Sequence, residues 1–354
     1  MSMVEYKKLG EVCTFNRGRT ITAKDAVEGE IPVIAGGQTP SYYHNESNRT
    51  GESITVAGSG AYAGFISYWD QPIFVSDAFT VDPSSLLIHK YLYHWLKRNQ
   101  EKIFATQKGA GVPHVHGKDI ANFLIPIPSL SEQQRIVDIL DTFTSSIENL
   151  KQQIALRRKQ YEYYRDQLLD YDGKEGVELK EVACLVKDRI NAIELTLLNY
   201  TSVENLLKDK AGRKDADNIP MEGNWVKYQV GDVLIGNIRP YLRKIWLSDR
   251  NGGTNGDVIV VRPNEKVIPS FLYYCLSSEH FFFYYNQTAK GGKMPRGDKK
   301  AILQYKSLLP SLPEQQRIIS ILDTFEASIA NLEVQLDQRE KQYEFYRNKL
   351  LTFE

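Results

Sequence analysis

Cysteine is scarce in this 354-residue chain: Cys13, Cys184 and Cys275 are odd in number, far apart, and have no second cysteine or histidine at metal-ligand spacing. That speaks against both a disulfide framework and a zinc site. There is no run of eighteen apolar residues, and the start Met1-Ser2-Met3-Val4-Glu5-Tyr6-Lys7-Lys8 lacks the apolar stretch of a secretory signal, so a cytoplasmic protein without a membrane partner is expected. A Gly-x-x-x-x-Gly-Lys-Ser/Thr phosphate loop is missing too, which removes the obvious way for the chain to bind ATP itself. What is present, 42% hydrophobic and 25% charged residues in 40.5 kDa, excludes disordered and collagen-like classes and leaves room for two or more domains.

Net charge is absent as well, since 44 basic and 44 acidic residues cancel. The zero hides an uneven distribution: residues 172–309 carry 21 basic and 17 acidic side chains, and 310–354 carry 5 and 8. Lys290, Lys293, Arg296, Lys299 and Lys300 crowd into residues 288–300 against a single Asp298. Basic charge is therefore local, as a docking face for an anionic partner requires.

A shift of 182 residues exposes an internal repeat. Residues 128–170 laid on 310–352 match at 27 of 43 positions, including Pro128-Ser129-Leu130 on Pro310-Ser311-Leu312 and Glu132-Gln133-Gln134-Arg135 on Glu314-Gln315-Gln316-Arg317. The period is far longer than a solenoid repeat, so a large unit has been duplicated. The chain divides into a first variable domain (1–127), a first helix (128–172), a second variable domain (173–309) and a second helix (310–354).

Apolar residues in the repeat fall at Ile136, Leu140, Phe143, Ile147, Leu150, Ile154, Tyr161, Tyr164 and Leu168, a heptad seam with one position missing. The second copy reads Ile318, Leu322, Phe325, Ile329, Leu332, Leu336, Tyr343, Tyr346 and Leu350. Arg157 and Arg339 stand at the missing positions. Two readings stand: the arginines fix how the helices pair, or they snorkel out of the seam. Ser131 with Gln134 forms a capping-box pattern, and Pro313 suits a first helical turn. Each helix then runs roughly 40 residues, about 60 Å, too long and too narrow in its apolar stripe for an ordinary core helix. The two pair with each other, or each pairs with a copy in another chain; periodicity leaves both open.

The variable domains mix α and β. Strands are expected at Ile31–Ile34, Ser53–Val56, Gly64–Trp69, Phe79–Val81, Gly231–Gly236 and Asp257–Val261. Helices are expected over 86–96, with Asp82-Pro83 as a start signal, and over 271–276 after Pro269-Ser270. Phe281-Phe282-Phe283 reads as core. Lys108-Gly109 and Pro113 recur 182 residues on as Lys290-Gly291 and Pro295, while the middles scarcely match. Related domains with different middles suggest two related binding tasks with different targets.

The Pro-Ser-Leu-x-Glu-Gln-Gln-Arg-Ile start, the helix ending in Lys-Gln-Tyr-Glu-x-Tyr-Arg, and Gly231 to Tyr241 (Gly-Asp-Val-Leu-Ile-Gly-Asn-Ile-Arg-Pro-Tyr) together resemble the specificity (S, HsdS) subunits of type I restriction-modification systems, over essentially the whole chain. The resemblance implies an α+β fold: two target-recognition domains joined by two long helices packed as an antiparallel coiled coil, with a pseudo-two-fold internal repeat. It implies a non-catalytic subunit whose domains each read half of a bipartite double-stranded DNA site. Its helices would set the gap and dock two modification (methyltransferase) subunits, with restriction subunits in the full enzyme. S-adenosylmethionine, ATP and Mg would serve those partners, and this chain would bind no cofactor. Adding or removing seven residues in the helices should then change the gap between half-sites.

The residues agree with a division of labour, since no Asn/Asp-Pro-Pro-aromatic pocket for a flipped adenine is found and Arg239-Pro240-Tyr241 lacks its essentials. His114 and His116 offer two imidazoles without a third ligand, so no metal is expected there. Arginine and lysine suit guanine and phosphate, and small residues allow close backbone approach. The candidate DNA contacts in the first domain are Lys108, Gly109, Gly111, His114 and His116, with Gln38, Tyr42 and Tyr43. In the second they are Lys290, Gly291, Lys293 and Arg296, with Arg239, Tyr241 and Arg243. Two rivals remain: a self-sufficient enzyme, which needs a catalytic constellation not found, and a coiled-coil scaffold that binds only protein.

Overall fold

The computed structural model describes residues 4–169 and 176–353. The chain forms two compact units, Met1–Gln152 with Glu333–Glu354, and Gln153–Leu332. In the first, strands Cys13–Arg17, Ala78–Pro83, Ser53–Ala57 and Ile66–Trp69 lie side by side, in that order, as an antiparallel sheet, and the helix His89–Arg98 packs on it. The second repeats the plan with Ala183–Leu185, Val258–Pro263, Val233–Gly236 and Ile245–Leu247, under the helix Pro269–Ser277. Each unit adds a three-stranded and a two-stranded sheet. The strands expected from β-branched and aromatic runs are all present, with ends shifted by at most two residues.

Three local expectations need correction. Asp82-Pro83 does not start a helix but ends a strand, with Thr14 opposite Asp82, whose carboxylate accepts from Asn16 Nδ2 (2.6 Å) and Thr80 Oγ1 (2.9 Å). Ser131 and Gln134 do not form the capping pair: the helix opens at Leu130, and the Ser129 hydroxyl accepts the Glu132 N–H at 3.3 Å. Phe281 and Phe282 are core, but Phe283 is 65% exposed. Three consecutive residues of the helix Glu279–Gln287 span about 200° of its circumference, so one must face out.

Two helices dominate the rest: α1 (Leu130–Leu169, 40 residues) and α2 (Leu312–Leu350, 39 residues). They pack antiparallel within each unit. In the first unit Phe143 stacks on Tyr346 (5.3 Å between centroids) and Lys151 pairs with Glu340 at 3.0 Å. In the second Tyr164 stacks on Phe325 at 5.5 Å and the Tyr161 hydroxyl donates to Glu326 at 2.8 Å. The seam is heterogeneous. Ile136 and Leu140, and Ile318 and Leu322, are fully or almost fully buried within their domain's core cluster, whereas Ile147, Leu150, Ile329 and Leu332 are half-buried. Arg157 lies over Phe325 at 5.8 Å and Arg339 over Phe143 at 5.6 Å, so each interrupting arginine rests half-buried on an aromatic ring of the facing helix.

The repeated Glu-Gln-Gln-Arg motif acquires a residue-by-residue account. Glu132 holds Arg135 (2.8 and 2.6 Å), and Glu314 holds Arg317 (2.8 and 2.7 Å), one turn on. The first glutamine is the anchor. Gln133 is fully buried; its Oε1 accepts the Ile88 N–H (2.9 Å) and its Nε2 donates to the Leu86 and Pro128 carbonyls (2.8 and 3.0 Å). Gln315 does the same with Ile268, Lys266 and Pro310 (2.8, 3.0 and 2.9 Å).

A second contact fixes α1 on its domain. His94, fully buried, donates from Nε2 to Asp141 (2.9 Å) and meets the Tyr343 hydroxyl through Nδ1 (3.1 Å), while Lys90 donates to the other Asp141 oxygen (2.6 Å). Burial alone would raise the Asp141 carboxyl, but the bonds from His94 and Lys90 outweigh it and hold it below the usual carboxylate range. A depressed carboxyl contributes stability above its unfolded value, near about 4, that is lost as pH falls through the folded value. Asp141→Asn is therefore expected to flatten part of the acid-side loss of Tm, and an unchanged Tm-against-pH profile below about pH 5 would refute this.

Candidate nucleic-acid interface

In each unit one end of the four-stranded sheet carries two loops joined by main-chain bonds. The first is an arch between the two strands at the sheet edge, Ala57–Phe65 in the first unit and Gly236–Lys244 in the second. The second is the basic loop, closed by paired bonds between Lys108 and His114 (3.0 and 2.8 Å) and between Lys290 and Arg296 (2.9 and 2.8 Å). Gly60 N–H donates to the Pro113 carbonyl (3.0 Å), as Arg239 N–H does to Pro295 (2.8 Å). Val115 N–H donates to Gly58, as Gly297 N–H does to Asn237 (both 3.1 Å). The face is thus duplicated in detail.

The structure brings together the predicted residues of the second domain. Lys290, Gly291, Lys293 and Arg296 lie on the basic loop, and Arg239, Tyr241 and Arg243 on the adjoining arch. Lys290 pairs with Asp298 at 2.6 Å and Arg296 with Asp257 at 3.0 Å. The Lys290 ammonium, with the Lys300 and Ala301 amides, holds the Asp298 carboxyl below its ordinary value. Gly291 has φ +103°, and its counterpart Gly109 has φ +117° with no room for a Cβ beside the Val112 carbonyl, so both glycines have a backbone reason to be there.

In the first domain Lys108, Gly109, Gly111, His114 and His116 share the basic loop and its exit. Lys108 binds Asp119, His116 N–H donates to the same carboxylate at 2.9 Å, and the two exposed imidazoles stack at 6.2 Å. Gln38 is exposed on a turn whose Gly36 packs against the Ser59 backbone of the arch. Tyr42 donates its hydroxyl to the Ile21 carbonyl (2.5 Å), which gives it a structural task, while Tyr43 is exposed.

Sequence reasoning missed the arch of the first domain. Tyr62, 46% exposed, occupies the place of Tyr241, 54% exposed. The Ser59 hydroxyl binds Asp77, whose counterpart Asp257 pairs with Arg296 instead. The signal was available at an offset of 179 rather than 182 residues, where Gly-Ser-Gly-Ala-Tyr-Ala-Gly lies on Asn-Ile-Arg-Pro-Tyr-Leu-Arg.

That alignment exposes a conformational anomaly. Gly60 and Gly64 take φ +85° and +90°, which glycine does freely; Arg239 and Arg243 take φ +53° and +49° at the same places. A left-handed non-glycine residue costs on the order of 1 kcal/mol. Among the described residues only Asp209, Lys210, Arg239 and Arg243 do this, and they are connected. Lys210 N–H donates to the Arg243 carbonyl (2.9 Å), and the Arg243 guanidinium grips Asp209 (2.6 and 3.0 Å) and Glu279 (3.0 Å). The bonds to Asp209 foremost, then Glu279, hold Arg243 more firmly protonated than an ordinary arginine. Beside the arch opens a cleft of about 630 Å³ lined by Asn205, Asn218, Arg239, Lys244, Asn255 and Asp257, among others.

Two copies of one polar, cation-bearing loop face, each at a sheet end and each anchored to paired long helices, describe a duplicated recognition module. The chain belongs to the family described as type I restriction modification DNA specificity domain, which matches residues 1–157 and 215–339. It is 28% identical to the EcoR124I/EcoR124II specificity subunit of Escherichia coli, over 99% of this chain and 94% of that one. It is 29% identical to a putative type I specificity subunit of Haemophilus influenzae, over 99% and 96%. The fold is that of the type I restriction-modification S subunit from M. genitalium (TM-score 0.67, 18% identity, 99% and 96% covered). It is also that of a chain from a type I R-M system solved to explain complex assembly and conformational transition (TM-score 0.59, 18% identity, 99% and 98% covered). Among the described residues no helix is long and apolar enough to cross a membrane.

Proposed function

We propose that this chain is the DNA sequence-recognition subunit of a type I restriction-modification enzyme, each two-loop face reading one half of a two-part double-stranded site. The observation that carries this reading is the duplicated face itself. Its main-chain frame is the same in both units, while equivalent positions carry different side chains: Gly60, Gly64, Gly111 and His114 in one, Arg239, Arg243, Lys293 and Arg296 in the other. A constant frame with changed side chains is what reading two different half-sites demands. Lys293 and Arg239, unlike Lys290, Arg296 and Arg243, make no ion pair with a described residue, and the exposed Lys299 and Lys300 beside them add further unpaired positive charge. The paired helices would dock two modification subunits, and restriction subunits would complete the enzyme. S-adenosylmethionine, ATP and Mg would be held by those partners.

The test is the adenine methylome of the source strain with and without this gene, where a two-part motif with a fixed gap should vanish on deletion. In parallel, the complex reconstituted with modification subunits should lose at least about tenfold in DNA affinity between about 50 and 200 mM salt, because phosphate contacts release counterions. Affinity that ignores salt, with no motif lost on deletion, would favour a protein-binding scaffold.

A further inference from the structure

At the two arch positions where the fold requires a left-handed backbone, the first unit has Gly60 and Gly64 and the second has Arg239 and Arg243. Arg239 is the harder case because it precedes Pro240, and a residue before proline is itself conformationally restricted. Glycine would fit both places without strain, as the first unit shows, so each arginine is retained for its side chain. For Arg243 the reason is visible in its bonds to Asp209 and Glu279. Among the described residues Arg239 has no such partner: it is exposed, no ion pair or side-chain hydrogen bond engages its guanidinium, and it lines the cleft with Asn218, Asn255 and Lys244. Its backbone, in contrast, is tightly held. The N–H is bound to Pro295, the carbonyl accepts from Leu242 at 2.9 Å, and Pro240 is buried. A rigid, strained backbone thus presents a guanidinium that no described residue of its own chain binds.

We propose that Arg239 is a base-reading residue of the second unit, recognising a guanine through its O6 and N7 edge, while Arg243 is a positioning residue that locks the arch from behind. Guanine is the choice because the planar five-donor fork of arginine matches that edge with two parallel hydrogen bonds, which a phosphate contact does not require. The first unit, with Gly60 at this place, has no side chain to read a base from this position and relies on other groups of its face. The inference rests on the DNA-reading role proposed above.

The experiment uses the full complex in a host that carries the modification subunits, with Arg239→Gly and Arg239→Lys compared with the parent chain by sequencing of methylated adenines. Arg239→Gly installs the residue that the first unit already has, so its melting temperature should equal or exceed that of the parent, which separates lost reading from lost folding. One guanine position in one half of the motif should relax, with preference for guanine there falling about 5- to 150-fold, while the other half stays intact. Arg239→Lys should relax the same position in part, because an ammonium lacks the planar fork that sets two parallel hydrogen bonds on that edge. An unaltered motif at full methylation in Arg239→Gly would overturn the proposal. So would a uniform loss across all sequences that lysine restores, since that marks a phosphate contact. Failure of the parent complex itself to methylate any two-part motif would instead overturn the underlying reading.

Discussion

Asp232→Ala is expected to destabilise the second unit by about 3 to 5 kcal/mol, because it removes charge-assisted hydrogen bonds to a buried carboxylate, orphans the Gln229 N–H and leaves the part-buried Arg262 guanidinium less compensated. Asp232 is fully buried at the head of the strand Val233–Gly236. Its carboxylate accepts from Arg262 Nε and Nη2, both at 2.8 Å, and from the Gln229 N–H at 2.9 Å. Arg262 sits on the adjoining strand Val258–Pro263, where Val261 pairs with Val233. The hydrogen bonds from Arg262 to Asp232 outweigh the cost of burying the guanidinium and hold it more firmly protonated than usual. Without Asp232 the guanidinium keeps only the exposed Asp188 at 3.1 Å, and the Gln229 N–H loses its acceptor. For a unit of this size the loss corresponds to roughly 6 to 20 °C in Tm. Asp232→Ala combined with Arg262→Met should recover part of it, because the orphaned charge is removed as well. A single-variant Tm within about 2 °C of the parent would show that the pair carries no such weight. The strand it holds runs directly into the arch at Gly236, so the pair also sets the base of the candidate interface.

How much of this was legible beforehand depends on whether a residue's partners are periodic or local. The heptad from Ile136 to Leu168 and its copy were readable because apolar spacing on a helix repeats whatever it packs against. Strands were readable because β-branched and aromatic runs stand between turns. Gln133 and Gln315 were visible only as members of a repeated motif. Their task is to bind main-chain atoms of Leu86, Ile88, Lys266 and Ile268, and no property of those residues' side chains announces it. The basic loops were found through their own charge. The first unit's arch was not, because glycine and serine carry no chemical label and the three-residue change of offset hides Gly60 behind the longer match. The strain at Arg239 and Arg243 lies beyond sequence reading until that offset is known, since nothing marks Arg243 as left-handed and Arg239, before proline, signals an extended residue instead.

Gln315→Glu and Gln133→Glu should each destabilise their own unit by about 2 to 4 kcal/mol at neutral pH, although they change one heavy atom of an isosteric side chain. The glutamate keeps an acceptor for the Ile268 or Ile88 N–H. It replaces an amide that donates to two carbonyls with a carboxylate oxygen that faces them, in a site with no solvent access. Burial and those carbonyls favour the protonated acid, which still donates to one of them, so the folded carboxyl must titrate above its unfolded value. The penalty is therefore fully developed above the folded value and shrinks as pH falls toward the unfolded one. The gap in Tm between variant and parent should narrow on moving from about pH 7 to about pH 5, whereas Gln→Met, which cannot protonate, should show a gap independent of pH. A glutamate gap that stays constant or widens on acidification would refute the bonding assigned to these glutamines. Because each glutamine ties the start of a long helix to one domain only, the two substitutions also separate the halves of the proposed recognition function. Loss of the Gln133 anchor should degrade methylation at one half of the two-part motif, and loss of the Gln315 anchor at the other; damage to the same half by both variants would contradict the assignment of one half-site to each unit.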